Sequence, residues 1–239
     1  MFDQPTIVLT GASAGIGLAA LEALVEDAFV IAVSRTRPPV QRLNGQWMQG
    51  DLCTPEAVAN DIRALLLTHE RPLDGLIHCA VSYGAPQRHA FLDTPDSEWD
   101  EVMWVNARSQ FILTVRLLPL LLKAAKAFIV SLTSDAATHP APQRIAYGCS
   151  KAASHALFSG LAAELADSSV SVIQMLPAKQ VVTRGMRRRR PPDFSFAGYS
   201  SPGIFKQPLR SILARRGAGL NGVCIQVDAE TNQEHTAIV

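Results

Sequence analysis

The feature that most constrains this chain is a glycine-studded turn at positions 10–17, which reads T-G-A-S-A-G-I-G. It follows a short β-branched run, Ile7–Thr10, and it opens a stretch, Ile16–Glu26, in which apolar residues recur with helical spacing. Glycines at a strand-to-helix turn let the backbone approach a bound group closely, and a helix N-terminus attracts phosphate. The sequence therefore predicts a pyrophosphate-binding turn; the alternative is a glycine-rich turn without a ligand.

Strand-like and helix-like segments alternate along the rest of the chain. The further predicted strands are Val30–Ser34, Trp47–Leu52, Leu73–Ala80, Phe128–Leu132, Val170–Leu176 and Gly222–Asp228. The helices predicted between them are one that opens at Thr54-Pro55, a mostly helical stretch Asp96–Lys126, and Arg144–Ala166. This alternation predicts an α/β fold: a single doubly wound Rossmann domain over residues 1–239, with a central parallel β-sheet of about seven strands and helices on both faces.

Composition narrows the functional classes. The chain has 239 residues, 48% of them hydrophobic, and a formal net charge of +1, so it lacks the basic surplus of a nucleic-acid-binding protein. Its apolar runs are too short to cross a bilayer, and its first ten residues do not resemble a signal peptide. None of its four cysteines forms a C-x-x-C pair, which argues against a metal site. We therefore expect a cytoplasmic protein with a small-molecule partner, no membrane or nucleic-acid partner, and no metal.

A second motif, Y-G-C-S-K at positions 147–151, lies within the predicted helix 144–166. Residues four apart lie on one face of a helix, so the Tyr147 phenol and the Lys151 ammonium project the same way. A nearby cation lowers the pKa of a tyrosine from about 10. Such a tyrosine can exchange a proton with a carbonyl oxygen as a general acid or base.

Together, the T-G-x-x-x-G-x-G turn and the Y-x-x-x-K pair resemble the classical short-chain dehydrogenase/reductase (SDR) family over essentially the whole chain, and less so after Thr183. The resemblance implies that Tyr147 is the general acid/base and that Lys151 lowers its pKa and holds the nicotinamide ribose. It also implies that Ser134, thirteen residues before the tyrosine, orients the substrate carbonyl. Asn106, in a predicted helix, would hold a water of the proton path.

The end of the second strand points to the cofactor. It reads Ser34-Arg35 and offers no carboxylate for a ribose diol, whereas a guanidinium and a hydroxyl suit a 2′-phosphate. NADP(H) is therefore predicted, although Ala14 stands where NADP-preferring relatives often carry a basic residue; the alternative is that Arg35 is a solvated loop residue. Asp51-Leu52 resembles the family's adenine-contacting pair, although Asp51 would also favour the start of the next helix.

The resemblance implies a full set of cofactor contacts: Gly11, Ser13, Gly15, Ile16, Gly17, Ser34, Arg35, Asp51, Leu52, Ala80, Val81, Tyr147, Lys151, Pro177, Val182 and Thr183.

Two segments depart from the family pattern. Where the family has Asn-Asn-Ala-Gly, this chain has His78-Cys79-Ala80-Val81, so a valine replaces a glycine that lies beside the cofactor. His78 could be a new acid/base residue, but a partly buried strand residue is the favoured interpretation. The family's Pro-Gly is here Pro177-Ala178, and Thr183 comes one residue later than usual, so either it or Val182 is expected at the nicotinamide.

The lid over the substrate is predicted at about residues 184–210. Residues 168–227 contain ten Lys or Arg and a single acidic residue, Asp193, and Arg187–Arg190 form an unbroken run. A substrate with a carboxylate or phosphate, including one linked to a carrier protein, is one hypothesis. The alternative is a solvated lid.

The function predicted from these features is NADPH-dependent reduction of a ketone or aldehyde, or the reverse oxidation of the alcohol. An SDR-fold epimerase or dehydratase, and a non-catalytic NADP(H)-binding regulator, are the alternatives. The helices around Trp104–Leu122 and Ala146–Leu165 are apolar on more than one side. By resemblance they would pair between subunits of a homodimer or homotetramer.

Overall fold

A computed structural model describes residues 4–228. Its strands are β1 (Thr6–Thr10), β2 (Phe29–Ser34), β3 (Gly45–Gln49), β4 (Gly75–His78), β5 (Ala127–Leu132), β6 (Val170–Pro177) and β7 (Cys224–Val227). They form one sheet in the order β3-β2-β1-β4-β5-β6-β7, and every pair of neighbours is parallel. The predicted fold class is therefore confirmed.

Helices cover both faces of this sheet. They are α1 (Gly15–Leu24), α2 (Pro55–Thr68), α3 (Asp96–Met103), α4 (Ser109–Leu121), α5 (Ile145–Glu164), α6 (Arg184–Arg187) and α7 (Lys206–Arg215). One apolar core lies under α1 and α7, and the other lies under α2, α4 and α5. β1 serves both cores, because Ile7 and Leu9 point to the first and Val8 to the second. This two-sided burial explains why β1 and β5 are nearly continuous in apolar residues.

The stretch predicted as one helix over 96–126 has an irregular centre. A π-helical turn, Trp104–Arg108, separates α3 from α4. Such wide turns are frequent at functional sites. Here the turn contains Asn106, whose side chain is fully buried and tied to two other segments.

Parallel pairing brings the carboxyl ends of all seven strands to one edge. β1 lies between β2 and β4, and this is the point where the strand order reverses. Open α/β sheets bind their ligands in the crevice outside such a point. Within residues 4–228, no helix combines the length and the apolar character that crossing a membrane requires.

Candidate active site

The glycine turn lies at this carboxyl edge, between β1 and α1. Gly11 has φ +73°, and a Cβ there would lie 2.7 Å from the backbone of Ala80, while a methyl group on Gly17 would overlap the Gly11 carbonyl oxygen. Glycine is therefore required for the close approach of these segments. The first residue of α1 is Gly15, and Ala14 before it makes no side-chain cap. The first N–H groups of α1 are thus left for a ligand, which fits the pyrophosphate of a dinucleotide.

The other residues predicted around the turn lie on its rim. Ser13 is half-buried, and Ile16 packs partly against the core beneath α1. The backbone N–H of Ala80 donates a 3.4 Å hydrogen bond to Thr10 Oγ1, which ties the end of β4 to the end of β1.

Tyr147 and Lys151 lie one turn apart on α5. Lys151 Nζ is 6.0 Å from the centre of the Tyr147 ring and donates a 2.7 Å hydrogen bond to the carbonyl oxygen of Leu132, at the end of β5. The lysine is only 3% exposed, and burial lowers its pKa to about 8, with the Cys79 thiol acting in the opposite direction. This hydrogen bond fixes the amine at the carboxyl edge.

The electrostatics of Tyr147 differ from the prediction. Burial raises the pKa of the phenol above its ordinary 10.0, and Tyr83 raises it further, whereas a hydrogen bond with Ser134 and the charge of Arg144 lower it. The lowering expected from Lys151 is not found, because desolvation dominates and the amine is hydrogen-bonded elsewhere. At neutral pH the phenol is therefore protonated and able to donate.

Ser134 follows β5 directly and has an extended backbone, with φ −156° and ψ 155°. Its Oγ donates to Asp135 Oδ1 at 2.8 Å and accepts from the backbone N–H of Ala136 at 3.2 Å. Its hydrogen bond with Tyr147 places the two hydroxyls side by side. The adjacent Thr133 is buried, and its Oγ1 has no partner among the described residues.

The Asn106 side chain links two segments of the chain, and its amide group donates a hydrogen bond to each of them. Nδ2 donates to the carbonyl oxygen of Ser82 at 2.7 Å and to Ser150 Oγ at 3.0 Å, and Oδ1 accepts from the Ser82 N–H at 2.8 Å. Ser150 Oγ in turn donates to the Tyr147 carbonyl oxygen at 2.8 Å. The side chain therefore fastens the loop after β4 to the helix that carries the tyrosine.

Among the residues predicted to bind the adenosine, only Arg35 has an exposed positive charge. Ser34 Oγ donates to the carbonyl oxygen of Thr36 at 2.8 Å and accepts from Trp47 Nε1 at 3.2 Å, so its hydrogen is already used. Arg35 is exposed at the end of β2. Asp51 is exposed too, and its Oδ1 accepts from a backbone N–H in the turn before α2. Of the residues predicted at this edge, Arg35 is therefore the one whose side chain is suited to a phosphate.

Leu52 and the segment after β6 complete the predicted contacts. Leu52 is 8% exposed and packs in the core under α2. Pro177 ends β6, and the Val182 N–H donates to the Ser200 carbonyl oxygen at 2.9 Å. Thr183 caps α6, because its Oγ1 accepts a 3.1 Å hydrogen bond from the third N–H of that helix. Its methyl group would lie 3.1 Å from a Cβ on Gly15, so the lid begins against the glycine turn.

Comparison with known proteins agrees with this geometry. The model of the family described as short chain dehydrogenase matches residues 5–192. The chain belongs to the short-chain dehydrogenase family. As an SDR protein it combines a nucleotide-binding Rossmann fold with an oxidoreductase family signature.

Three relatives illustrate the likeness. The short chain dehydrogenase ausX of Emericella nidulans is 33% identical over 61% of this chain and 75% of its own length. The dehydrogenase/reductase SDR family member 4 of Bos taurus is 32% identical over 73% of this chain, which spans just under two thirds (65%) of that protein. A short chain dehydrogenase structure from Shigella flexneri, complexed with NADP, has a TM-score of 0.81 at 25% identity and covers 94% of this chain and 97% of that one.

Two residues that depart from the SDR pattern lie in different surroundings: Val81 at the surface and His78 in the core. Val81, in place of the family's glycine, is 36% exposed on the rim of the crevice. His78 is 1% exposed and lies in β4, where Nε2 bonds to Thr114 Oγ1 at 3.0 Å and the ring packs on Phe158 at 5.5 Å. His78 is therefore a strand residue, as predicted, but it is fully rather than partly buried.

His78 should make this SDR protein sensitive to acid. Burial lowers its pKa from 6.5 to about 3, so the folded state keeps the ring neutral while the unfolded chain takes up a proton below pH 6.5. Its contribution to stability is present above pH 6.5 and is lost as the pH falls toward 3. We expect the free energy of unfolding to fall by roughly 3 kcal/mol between pH 7 and pH 4 from this group alone.

Urea denaturation at the two pH values measures this loss. His78→Asn keeps a hydrogen-bond partner for Thr114 but cannot ionise. Its free energy of unfolding should therefore fall by about 3 kcal/mol less than that of the wild type between pH 7 and pH 4. His139→Asn, at an exposed position, serves as the matched control and should lose as much as the wild type. An equal loss in His78→Asn would contradict the assignment.

Two residues at the site were missed by the sequence analysis. Tyr83 stacks on Tyr147, and Arg144 precedes α5 and acts electrostatically on the phenol. Tyr83 belongs to no motif. Arg144 was used only as the start of a helix, although its position three residues before the tyrosine was a usable signal.

Proposed function

We propose that this SDR protein is an NADPH-dependent reductase of ketones or aldehydes, with Tyr147 as the proton donor. The observation that carries the proposal is the convergence of the Tyr147 phenol, the Ser134 hydroxyl and the Lys151 amine at the carboxyl edge, beside the glycine turn. Tyr147 and Lys151 come from α5, and Ser134 comes from the segment after β5.

The residues present fit a nicotinamide dinucleotide. Gly11 and Gly17 leave a cradle that any Cβ would fill, and the N-terminus of α1 is free of a side-chain cap. Lys151 lies where it can hold ribose hydroxyls, and Thr183 borders the same turn. When bound, the nicotinamide would supply the hydride.

The chain's own groups supply the rest of the reduction. With substrate bound, the Ser134 hydroxyl would turn its hydrogen from Asp135 Oδ1 to the substrate carbonyl oxygen and so polarise the C=O bond. As negative charge develops on the carbonyl oxygen during the reduction, that oxygen would take the proton from Tyr147 Oη. The resulting phenolate is reprotonated from solvent. Burial keeps the Tyr147 phenol protonated at neutral pH, which is the form that a proton donor needs.

Arg35 supports the choice of NADPH over NADH. Its exposed guanidinium stands at the end of β2, and the Shigella flexneri relative is complexed with NADP. We expect Arg35→Ala to raise KM for NADPH by about 10- to 30-fold, because the variant loses a charge-assisted hydrogen bond to the 2′-phosphate. KM for NADH, which lacks that phosphate, should stay nearly unchanged. Initial rates with each cofactor measure the change.

Arg42→Ala, an exposed arginine farther along the same loop, is the control and should leave both constants unchanged. An unchanged NADPH constant in Arg35→Ala would remove the phosphate contact from the proposal.

The direct test is NADPH oxidation against a panel of ketones, β-keto thioesters and quinones, with the Tyr147→Phe variant beside the wild type. Turnover that requires Tyr147 supports the reductase. Conversion of a substrate without net NADPH consumption would point to an epimerase or dehydratase, and NADPH binding with no conversion at all would point to a regulator.

We also propose that the protein forms a homo-oligomer through α4 and α5. Phe111 and Val115 on α4 are 50% and 53% exposed, and a shallow groove beside them is lined by Trp104 and Leu157 among others. Exposed apolar surface of this kind marks an interaction site.

The four free cysteines fit a reducing compartment, so we propose the cytoplasm as the location of this protein.

A further inference from the structure

The loop after β4 covers the catalytic tyrosine with an aromatic ring. Tyr83 stacks on Tyr147 with ring centres 5.0 Å apart and planes at 24°. Beside the two rings lies a narrow pocket that is lined also by Arg88, Gln143 and Arg144.

The lid adds a guanidinium against Tyr83. Arg189 Cζ lies 5.1 Å from the centre of the Tyr83 ring, and its Nη2 donates a 3.1 Å hydrogen bond to the Gly84 carbonyl oxygen. Its Nε is buried and has no hydrogen-bond partner in the described part of the chain. The lid is therefore joined to the loop over the tyrosine, with a donor still unused.

Four arginines concentrate positive charge around this pocket: Arg88, Arg144, Arg189 and Arg190. Burial lowers the pKa of Arg144, and the charges of the other three lower it further, so they lie close enough to repel one another. Within residues 4–228, none of the four forms an ion pair with a carboxylate.

The acidic groups near the pocket are already bound elsewhere. Glu98, which lines it, accepts a 2.8 Å contact from His89 Nδ1. Asp135 accepts from Ser134 Oγ at 2.8 Å and from the Ala136 N–H at 2.9 Å. Both carboxylates keep their charge, so four guanidiniums face two carboxylates, and a net positive charge is left for a ligand.

We propose that the substrate is a small oxo acid whose carbonyl lies at Ser134 and Tyr147 and whose carboxylate is bound by Arg144 and Arg88, with Arg189 closing the pocket. This inference rests on the proposed reductase function and names its substrate class. A carboxylate matches the planar fork of an arginine and removes the repulsion between the guanidiniums. Arg144 and Tyr147 line the same narrow pocket, so the carboxylate and the carbonyl belong to one small molecule.

The test compares acids with their neutral esters. NADPH oxidation is measured with 2-oxobutanoate, 3-oxobutanoate and their methyl esters, for the wild type, Arg144→Gln, Arg88→Gln and Arg188→Gln. We expect the wild type to prefer an acid over its ester, and Arg144→Gln to lower kcat/KM for that acid by about 30- to 100-fold while the ester changes less than about threefold. Arg88→Gln, at an exposed position, gives a smaller loss without risk to the fold. Arg188 is exposed, belongs to the same run and lines no part of the pocket, so Arg188→Gln is the matched control.

Failure of this inference is distinguishable from failure of the reductase. Equal use of acids and esters, with turnover that depends on Tyr147, would overturn the oxo acid and leave the reductase standing. A preference for dihydroxyacetone phosphate over the acids would also overturn it. If no compound is reduced, calorimetric titration of the NADPH complex with butanoate decides: binding lost in Arg144→Gln and kept in Arg188→Gln supports the anion site, and no binding to the wild type overturns it.

Discussion

Tyr147→Phe is expected to lower kcat for NADPH-dependent carbonyl reduction by about 100- to 10,000-fold, the range that a positioned general acid contributes. The substitution removes the one phenolic proton beside Ser134 and keeps the ring that stacks on Tyr83. The fold and the cofactor site should therefore survive. We expect Kd for NADPH, measured by fluorescence titration, to change by less than about threefold.

The matched control is Tyr199→Phe. Tyr199 packs edge-on against Phe194 and Phe196 in the lid and has no contact with the proton donor, so its variant should keep full activity. The pH profile adds a second readout. Because burial holds the pKa of Tyr147 above 10.0, ionisation of the phenol should not reduce the wild-type rate of reduction below pH 10. Turnover that persists in Tyr147→Phe would remove this residue from its proposed role.

Gly17→Ala is expected to have the largest effect on cofactor binding. A methyl group there would overlap the Gly11 carbonyl oxygen, which is backbone and cannot rotate away. The turn must shift, and overpacking of this kind costs about 1–3 kcal/mol of stability. Since the displaced turn also carries the N–H groups proposed to hold pyrophosphate, Kd for NADPH should rise at least about tenfold.

Gly160→Ala separates this steric effect from the general effect of removing a glycine. Gly160 lies in α5, and nothing stands within 4 Å of the Cβ position. Its variant should be stabilised by about 0.5–1 kcal/mol, because alanine favours helix, with Kd for NADPH unchanged. Urea denaturation and fluorescence titration of both variants give the two quantities. Normal NADPH affinity in Gly17→Ala would show that the turn does not hold the cofactor.

The sequence by itself determined what depends on local spacing. The alternation of strands and helices predicted a parallel sheet, because a helix between two strands crosses over the face of the sheet and returns the chain in the same direction. The glycines at 11, 15 and 17 marked the turn, and four-residue spacing placed Tyr147 and Lys151 on one face of α5. These features are short-range, so composition and periodicity carry them.

Only the tertiary structure decided how distant side chains divide their hydrogen bonds and charges. Ser34 looked free for a phosphate, but Trp47 on the neighbouring strand occupies its hydroxyl. Lys151 was expected to acidify Tyr147, yet its amine donates a hydrogen bond to the Leu132 carbonyl oxygen, and burial raises the pKa of the phenol. Tyr83 reaches Tyr147 across 64 residues of chain because parallel pairing brings the ends of β4 and β5 to one edge. Desolvation and long-range packing are properties of the folded surface, and no spacing along the chain encodes them.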